Sequence, residues 1–346
     1  MTTHFPAEWH HQYAIQLTWP HEDTDWNWIL EATHQFYLTL ANTILKYENL
    51  IICGNNDALA NKIRSGLNPS VFKAHIFIAP SNDTWARDHG PISVFEDGQL
   101  VIKDFVFNGW GNKFESDLDN KITRQLHQQS AYNADGYESV DLVMEGGSLE
   151  SDGLGTVLTT SNCLLNTNRN PHLSKADIEQ VLTDELGAET ILWLEHGHLE
   201  GDDTDAHIDT LARLCPNNVV VYQGCRDKTD LHFDELQAMK QELQSFKNNA
   251  GQPFTLFELP FPQAVYETEA DGSKTRLPAT YANFLIINGA VLMPIYNLPQ
   301  DEEAIEVMQQ AMPDHDIVPV DCSLLIRQYG SLHCITMQIP DNTDAL

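Results

Sequence analysis

The sequence predicts an alternating α/β fold, and three observations carry that prediction. Short apolar runs bounded by turn residues recur at 14–19, 50–53, 91–95, 156–160, 218–222 and 284–294, and runs this short suit buried strands. The segments between them carry helical spacing. The strand–helix units return at irregular intervals of roughly 60 to 70 residues, the size of a repeated supersecondary module. No sequence identity links one unit to the next.

A helix is expected over Thr24 to Lys46, where Trp26, Ile29, Leu30, Phe36, Leu40 and Ile44 fall near one stripe. A second runs over Ser174 to Leu186, opened by a Ser-x-x-Asp capping signal at Ser174 and Asp177. Two more are expected over 234–246 and 302–312. The polar stretch Glu267 to Lys274 suits an exposed loop or hairpin tip and is too short for a tether between domains. With no low-complexity linker or composition break, the expectation is one compact catalytic domain over 1–346.

Hydrophobic residues make up 42% of the chain and charged ones 20%, enough for a substantial core. Nineteen basic against 50 acidic side chains leave a net charge of −31, which repels nucleic acid and anionic lipid and favours a small cationic ligand. Most of these acids are read as solvated surface. The start, Met1 to Pro6, has no basic or apolar leader pattern, and no run approaches the roughly 18 apolar residues of a membrane span, so a cytoplasmic protein is expected. Six scattered cysteines without C-x-x-C pairs read as reduced thiols. Oligomeric state is not legible, and a homodimer stays open.

Chemistry concentrates in four segments. His207-Ile208-Asp209 follows the acidic run Glu200 to Asp205; on a strand, residues two apart would face one side and meet one ligand. Trp85-Ala86-Arg87-Asp88 offers a carboxylate for a planar guanidinium and an indole for its face; the bland alternative is a turn in which Arg87 pairs with Asp83 or Asp88. Glu145 stands before Gly146 and Gly147, where backbone can approach a ligand or turn sharply. Cys334 follows a loop and precedes a strand-like run. A thiol, an imidazole and several carboxylates suit attack on a positively charged carbon. A metal reading built on His198, His207, Glu200 and Asp203 competes, but no metal-binding spacing supports it.

The ordered segments W-x-R-D (85–88), F-N-x-W-G (107–111), E-G-G-S (145–148), L-L-N-x-N-R-N-P (164–171), D-D-T-x-x-H-x-D (202–209) and H-C-I-T (333–336) resemble the agmatine deiminase group, also known as bacterial peptidylarginine-deiminase-like proteins. The opening Phe5 to Trp9 and Thr18 to Pro20 are similar to that family's start, so the resemblance spans nearly the whole chain. It implies the pentein fold, a five-bladed α/β propeller of ββαβ units around a central site. It also implies hydrolysis of a guanidine to a ureido group and ammonia, without metal or organic cofactor. Matched position by position, Cys334 would be the nucleophile, His207 the general acid and base, Asp88 and Asp209 the guanidinium clamps, Glu145 an acid bonded within the site, and Trp85 a wall of the pocket.

Agmatine is the expected substrate, with arginine or peptidylarginine as the alternative. An α-carboxylate would need a cation, for which Arg169 is the motif-borne candidate, whereas an amine would favour Glu200, Asp202 or Asp203. An amidinotransferase, a metal-dependent amidohydrolase and a non-catalytic polyamine-binding module are the remaining readings. The chain departs from the family pattern at Tyr329-Gly330-Ser331, where Gly-Gly-Asn is usual, at Ala206 for Gly, at Thr210 for Asn and at Thr167 for Pro.

Overall fold

The structure, a computed structural model, describes residues 2–268 and 271–342. Five sheets share one connectivity: an antiparallel pair, then a helix, then a strand parallel to the second member of the pair. In the first, Ile92–Glu96 pairs with Gln99–Val106, and after the helix Ile122–Gln128 the strand Gly136–Val143 joins in parallel. The pair turns at Asp97 and Gly98, both with positive φ, as a tight two-residue hairpin requires. Glu150–Ser151, Thr156–Thr160 and Thr190–Leu194 repeat the pattern around the helix Lys175–Leu186. So do Ala212–Cys215, Val219–Gln223 and Thr255–Leu259 around Phe233–Ser245. Leu285–Ile287, Ala290–Ile295 and Asp316–Asp321 do the same around Asp301–Ala311.

The fifth sheet joins the two ends of the chain. Thr336–Pro340 pairs antiparallel with Gln12–Thr18, which runs parallel to Asn49–Gly54 after the helix Leu30–Ile44. A further parallel strand, Ala74–Ile78, follows the helix Asp57–Gly66.

The expected strands and helices are present, with instructive differences. Residues 24–29 turn once before the α-helix begins at Leu30, and its buried side is Thr33, His34, Tyr37, Leu40, Ala41 and Ile44, while Phe36 is half-buried at the margin. The apolar run 284–294 is two strands folded at Asn288-Gly289; Gly289 has φ 74, which only that turn demands. The helix Lys175–Leu186 carries the full capping box between Ser174 and Asp177 that its sequence predicts, and it stops at Gly187 in the left-handed conformation. The polar stretch 267–274 is flanked by a hairpin of Val265–Thr268 and Lys274–Leu277; Glu269 and Ala270 lie outside the described residues.

The buried apolar side chains form three clusters under these sheets, the largest uniting Trp19, Trp26, Tyr37 and the 284–293 hairpin with Leu332 and Ile335 on either side of His333 and Cys334. Trp26 is fully buried and donates its indole N–H to Thr84 Oγ1 at 2.9 Å, so core packing reaches the loop that carries Trp85 and Asp88. No described helix is long and apolar enough to cross a membrane.

Candidate active site

Every one of the five antiparallel pairs is entered through a turn, and each turn delivers a polar side chain to one place. Asp88 precedes the strand at Ile92, Glu145 to Gly147 precede Glu150, His207 and Asp209 precede Ala212, Asn283 precedes Leu285, and Cys334 precedes Thr336. His207 and Asp209 do not sit on a strand, the setting in which their spacing would turn both to one side. His207 caps a single 3₁₀ turn, Ile208–Thr210, and Asp209 lies within it, and the loop before them is held by its own acids. Asp202 accepts from Thr204 N at 3.1 Å and Ala206 N at 2.6 Å, and Thr204 Oγ1 accepts from His207 N at 3.2 Å. Asp202 therefore shapes the loop as much as it lines the cavity beside it.

The two glycines of Glu145-Gly146-Gly147 permit close approach. A Cβ on Gly147 would stand 2.5 Å from His207 Nδ1, 2.8 Å from Asp88 Oδ1 and 3.2 Å from Asp209 Oδ2, so three functional groups converge on a residue that has no side chain. Gly147 N donates to Asp88 Oδ1 at 3.1 Å, and Trp110 Nε1 donates to Asp88 Oδ2 at 3.0 Å. His207 Nδ1 lies 3.6 Å from Asp88 Oδ1, and its Nε2 lies 3.9 Å from Glu145 Oε2. Cys334 Sγ is 3.4 Å from Asn283 Oδ1 and 4.0 Å from Asp209 Oδ2. Asp209 Oδ1 is buried without a hydrogen-bond partner among the described residues.

These contacts set the electrostatics. Burial pushes Asp88 up to about 6, with Asp209 and Glu145 adding to the rise against the pull of His207. Burial would lower His207, but the Asp88 carboxylate beside it holds it well above the ordinary histidine range. Burial and then the Asp209 and Asp88 charges hold the Cys334 thiol well above its usual value. Asp209 is the exception: although burial would raise it, the hydrogen bond from His333 and the nearby positive groups keep it below the usual carboxylate range.

The site opens to a cavity of about 440 Å³ with Cys334, Asp88, Trp85 and Trp110 in its wall. Acids dominate the rest of the lining: Asp23, Asp25, Asp83, Asp119, Asp202, Asp203 and Glu115, against one cation, Lys113. Burial raises Asp83 to about 7 and Asp203 to about 6, in each case with a neighbouring Asp contributing. Trp85 is buried against Gly330, where any Cβ would overlap the indole, and is fixed by its N–H to Asp83 Oδ2 at 3.0 Å.

Two sequence readings change. Arg87 pairs with neither Asp83 nor Asp88; it turns behind the site to Gln338 Oε1 at 2.6 Å and the carbonyl of His333 at 3.5 Å. Arg169 is not available to a substrate carboxylate: it is buried and holds both Glu145 oxygens at 3.0 and 2.9 Å, Asp205 Oδ2 at 2.6 Å and the Thr204 carbonyl at 2.9 Å. Among the described residues, His198, Glu200 and Asp203 do not gather as ligands. The His, Cys and acid groups that do come together are Glu145, Cys163 and His207, and Glu8, Glu150 and His333.

Residues with no role assigned from sequence also belong here: Glu8, Trp110, Arg213, Asn283 and His333. Glu8, Trp110 and His333 lie inside the quoted motifs, so the signal was present without a role. Asn283 had only its position before an apolar run, and Arg213 lies inside a strand. Two departures from the family pattern share a cause. Ala206 has φ 64 and Tyr329 φ 62, so both occupy the left-handed region where glycine is cheapest.

The description that matches residues 4–340 is the Porphyromonas-type peptidyl-arginine deiminase. The chain is 32% identical to the agmatine deiminase of Pseudomonas aeruginosa (strain LESB58), over 97% of this chain and 95% of that one. Among solved structures, it is similar to a substrate-bound agmatine deiminase of C. jejuni (38% identity, TM-score 0.90, covering 98% of this chain and 96% of that one). It is likewise similar to a candidate arginine deiminase of Porphyromonas gingivalis (45% identity, TM-score 0.91, 98% and 99% covered).

Proposed function

Because the chain belongs to the Porphyromonas-type peptidyl-arginine deiminase family and is an enzyme of the agmatine deiminase type, we propose that it hydrolyses agmatine to N-carbamoylputrescine and ammonia through a covalent intermediate on Cys334. The observation that carries this reading is a buried thiol and a buried carboxylate, Cys334 and Asp88, in the wall of an acid-lined cavity, with a second buried carboxylate, Asp209, 4.0 Å behind the thiol. A planar cation satisfies what that arrangement leaves open, including the unpartnered Asp209 Oδ1.

In this mechanism Asp88 and Asp209 hold the guanidinium with its central carbon facing Cys334 Sγ. The bound cation offsets the carboxylates that keep the thiol protonated, so the thiol releases its proton to solvent and the thiolate adds to the carbon. The C–N bond to the departing nitrogen breaks as His207 delivers a proton, and ammonia leaves an amidino-thioether. His207 then takes a proton from water; the hydroxide adds, the C–S bond breaks, and the ureido product and thiolate separate. Glu145, clamped by Arg169, faces His207 Nε2 from 3.9 Å and supplies negative charge beside it. No step calls on a metal or organic cofactor.

Agmatine is favoured over arginine by the cavity's charge. A primary amine meets a lining of acids, whereas an α-carboxylate meets the same acids and Lys113, whose Nζ already bonds the Asp203 carbonyl at 2.6 Å and Asp205 Oδ1 at 2.9 Å. Five sheets of like connectivity, five entry turns converging on one site, and a last strand that completes the first sheet support a single catalytic domain built as a five-bladed propeller.

Ammonia release from agmatine, arginine and a peptide ending in arginine, with chelator present, tests the reading against Cys334→Ala. Release that needs Cys334 and prefers agmatine is expected. Faster release from arginine would move the substrate and keep the chemistry; release from none of the three overturns the assignment. Adding glycine or ornithine and finding an amidino product would identify a transferase.

A further inference from the structure

The group that fixes Asp209 is not in the wall of the cavity but behind it. His333, immediately before the nucleophile, is 1% exposed and spans two carboxylates: Nδ1 lies 2.7 Å from Asp209 Oδ2, and Nε2 lies 2.6 Å from Glu8 Oε2. Arg213 closes the rear. Its Nη2 donates to Glu8 Oε2 at 2.7 Å, its Nε is bonded to Glu150, and its Nη1 is bonded to the Phe284 carbonyl. The backbone is pinned as well, since Asn283 Oδ1 accepts from His333 N at 2.9 Å and Asn283 Nδ2 donates to the Asp209 carbonyl at 3.2 Å.

The consequence is asymmetry at Asp209. One oxygen is committed to the imidazole, and the other, Oδ1, is buried and without a partner among the described residues. A fully buried carboxylate beside Asp88 and a thiol is costly to ionise without a donor of its own. The Nδ1–H of His333 is that donor, and Asp209 accordingly titrates below the usual carboxylate range. A row running Arg213, Glu8, His333, Asp209 thus ends in a single free acceptor.

We propose that His333 is a positioning residue which, anchored by Glu8 and Arg213, orients Asp209 so that its Oδ1 receives the N–H of a bound amidinium or guanidinium. This rests on the deiminase reading of the same site. His333 touches neither substrate nor reacting atoms; it acts through Asp209, as outer partners act on the ligands of other charged centres.

The test compares alkylation of Cys334 by 2-chloroacetamidine, a cation, with alkylation by chloroacetamide, a neutral analogue of nearly the same size, each corrected for its rate with free thiol. The wild-type chain is expected to prefer the amidine. His333→Leu is expected to lower that preference by about 10-fold or more, the range in which outer-sphere partners act, while the chloroacetamide rate stays within about threefold. His333→Asn, whose amide N–H can replace Nδ1–H, restores most of the preference. Glu8→Gln keeps the shape, removes the charge behind His333 and lowers the preference severalfold; it decides the matter if His333→Leu does not fold by circular dichroism. A folded His333→Leu or Glu8→Gln chain with the wild-type preference overturns the positioning role. A wild-type chain with no preference removes the cation clamp itself, and the deiminase reading with it.

Discussion

Trp110 donates its indole N–H to Asp88 Oδ2 at 3.0 Å from a backbone position with φ 55 and ψ 46. A non-glycine residue holds the left-handed region at a cost of about 1 to 2 kcal/mol, and here the Gly109–Asn112 turn spends it to bring a donor to a buried acid. With Gly147 N on the other oxygen, Asp88 is held from two sides. In the proposed mechanism its remaining lone pairs receive the substrate cation.

Removing that donor tests its worth. Trp110→Phe keeps the ring packing against Phe107 and loses the N–H, a hydrogen bond to a charged group worth about 1.5 to 3 kcal/mol. The expected result is kcat/KM for agmatine down by about 10- to 100-fold, carried mainly by KM. Steady-state kinetics check it; an unchanged KM would detach Trp110 from binding.

Gly147→Ala places a methyl between His207 and Asp88, closer to both than atoms pack. Overpacking costs typically about 1 to 3 kcal/mol of stability, but displacing the proposed proton carrier and the proposed cation clamp costs more in rate. Turnover is expected to fall by about 100-fold or more while the chain still unfolds cooperatively. Retained turnover would mean that the backbone there has room to give.

The acid side of the pH profile is expected from the raised carboxylates of the cavity, Asp88 above all, with Asp203 at about 6 and Asp83 at about 7 beside it. The folded value of Asp88, about 6, is raised, so the carboxylate that must be ionised to hold a cation loses its charge as pH falls through about 6. The free-enzyme profile, kcat/KM against pH, is therefore expected to fall below about pH 6 and not near 4, the ordinary carboxylate range. A profile flat to about pH 5 would contradict it.

Cys334 titrates well above an ordinary thiol in the empty site, because burial and then Asp209 and Asp88 disfavour its charge. A bound guanidinium neutralises those carboxylates. Thiolate absorbance titrated with and without a non-reactive guanidine is expected to show a lower midpoint with the ligand. Identical midpoints would exclude substrate-promoted ionisation.

Ala206 occupies the left-handed region at φ 64 in the loop before His207. Ala206→Gly relieves that strain and loses one buried methyl, so denaturant midpoints are expected to rise by up to about 1 kcal/mol equivalent. A clear fall would show that the methyl's packing outweighs the backbone strain.

What could be read from the chain were features that depend on neighbours in sequence. The apolar runs at 156–160 and 218–222, the capped helix over 174–186 and the motif residues Asp88, Glu145, His207, Asp209, Cys334 and Trp85 were all legible there, and the structure brings those six side chains around one cavity and its rear wall. Strands such as Gly136–Val143 and Asp316–Asp321 were not, because they lie at sheet edges, are partly exposed and carry polar residues or a proline in their runs. The 3₁₀ turn that replaces a strand at 208–210 follows from the Asp202 bonds to the loop, which residue spacing does not encode. Tertiary structure alone decided the partners: Arg169 buried on Glu145, Trp110 on Asp88, and Glu8 some 325 positions from the His333 it bonds. Those pairings arise because buried charges must find opposite charges or donors wherever the fold sets them down, and that requirement acts through space, not along the chain.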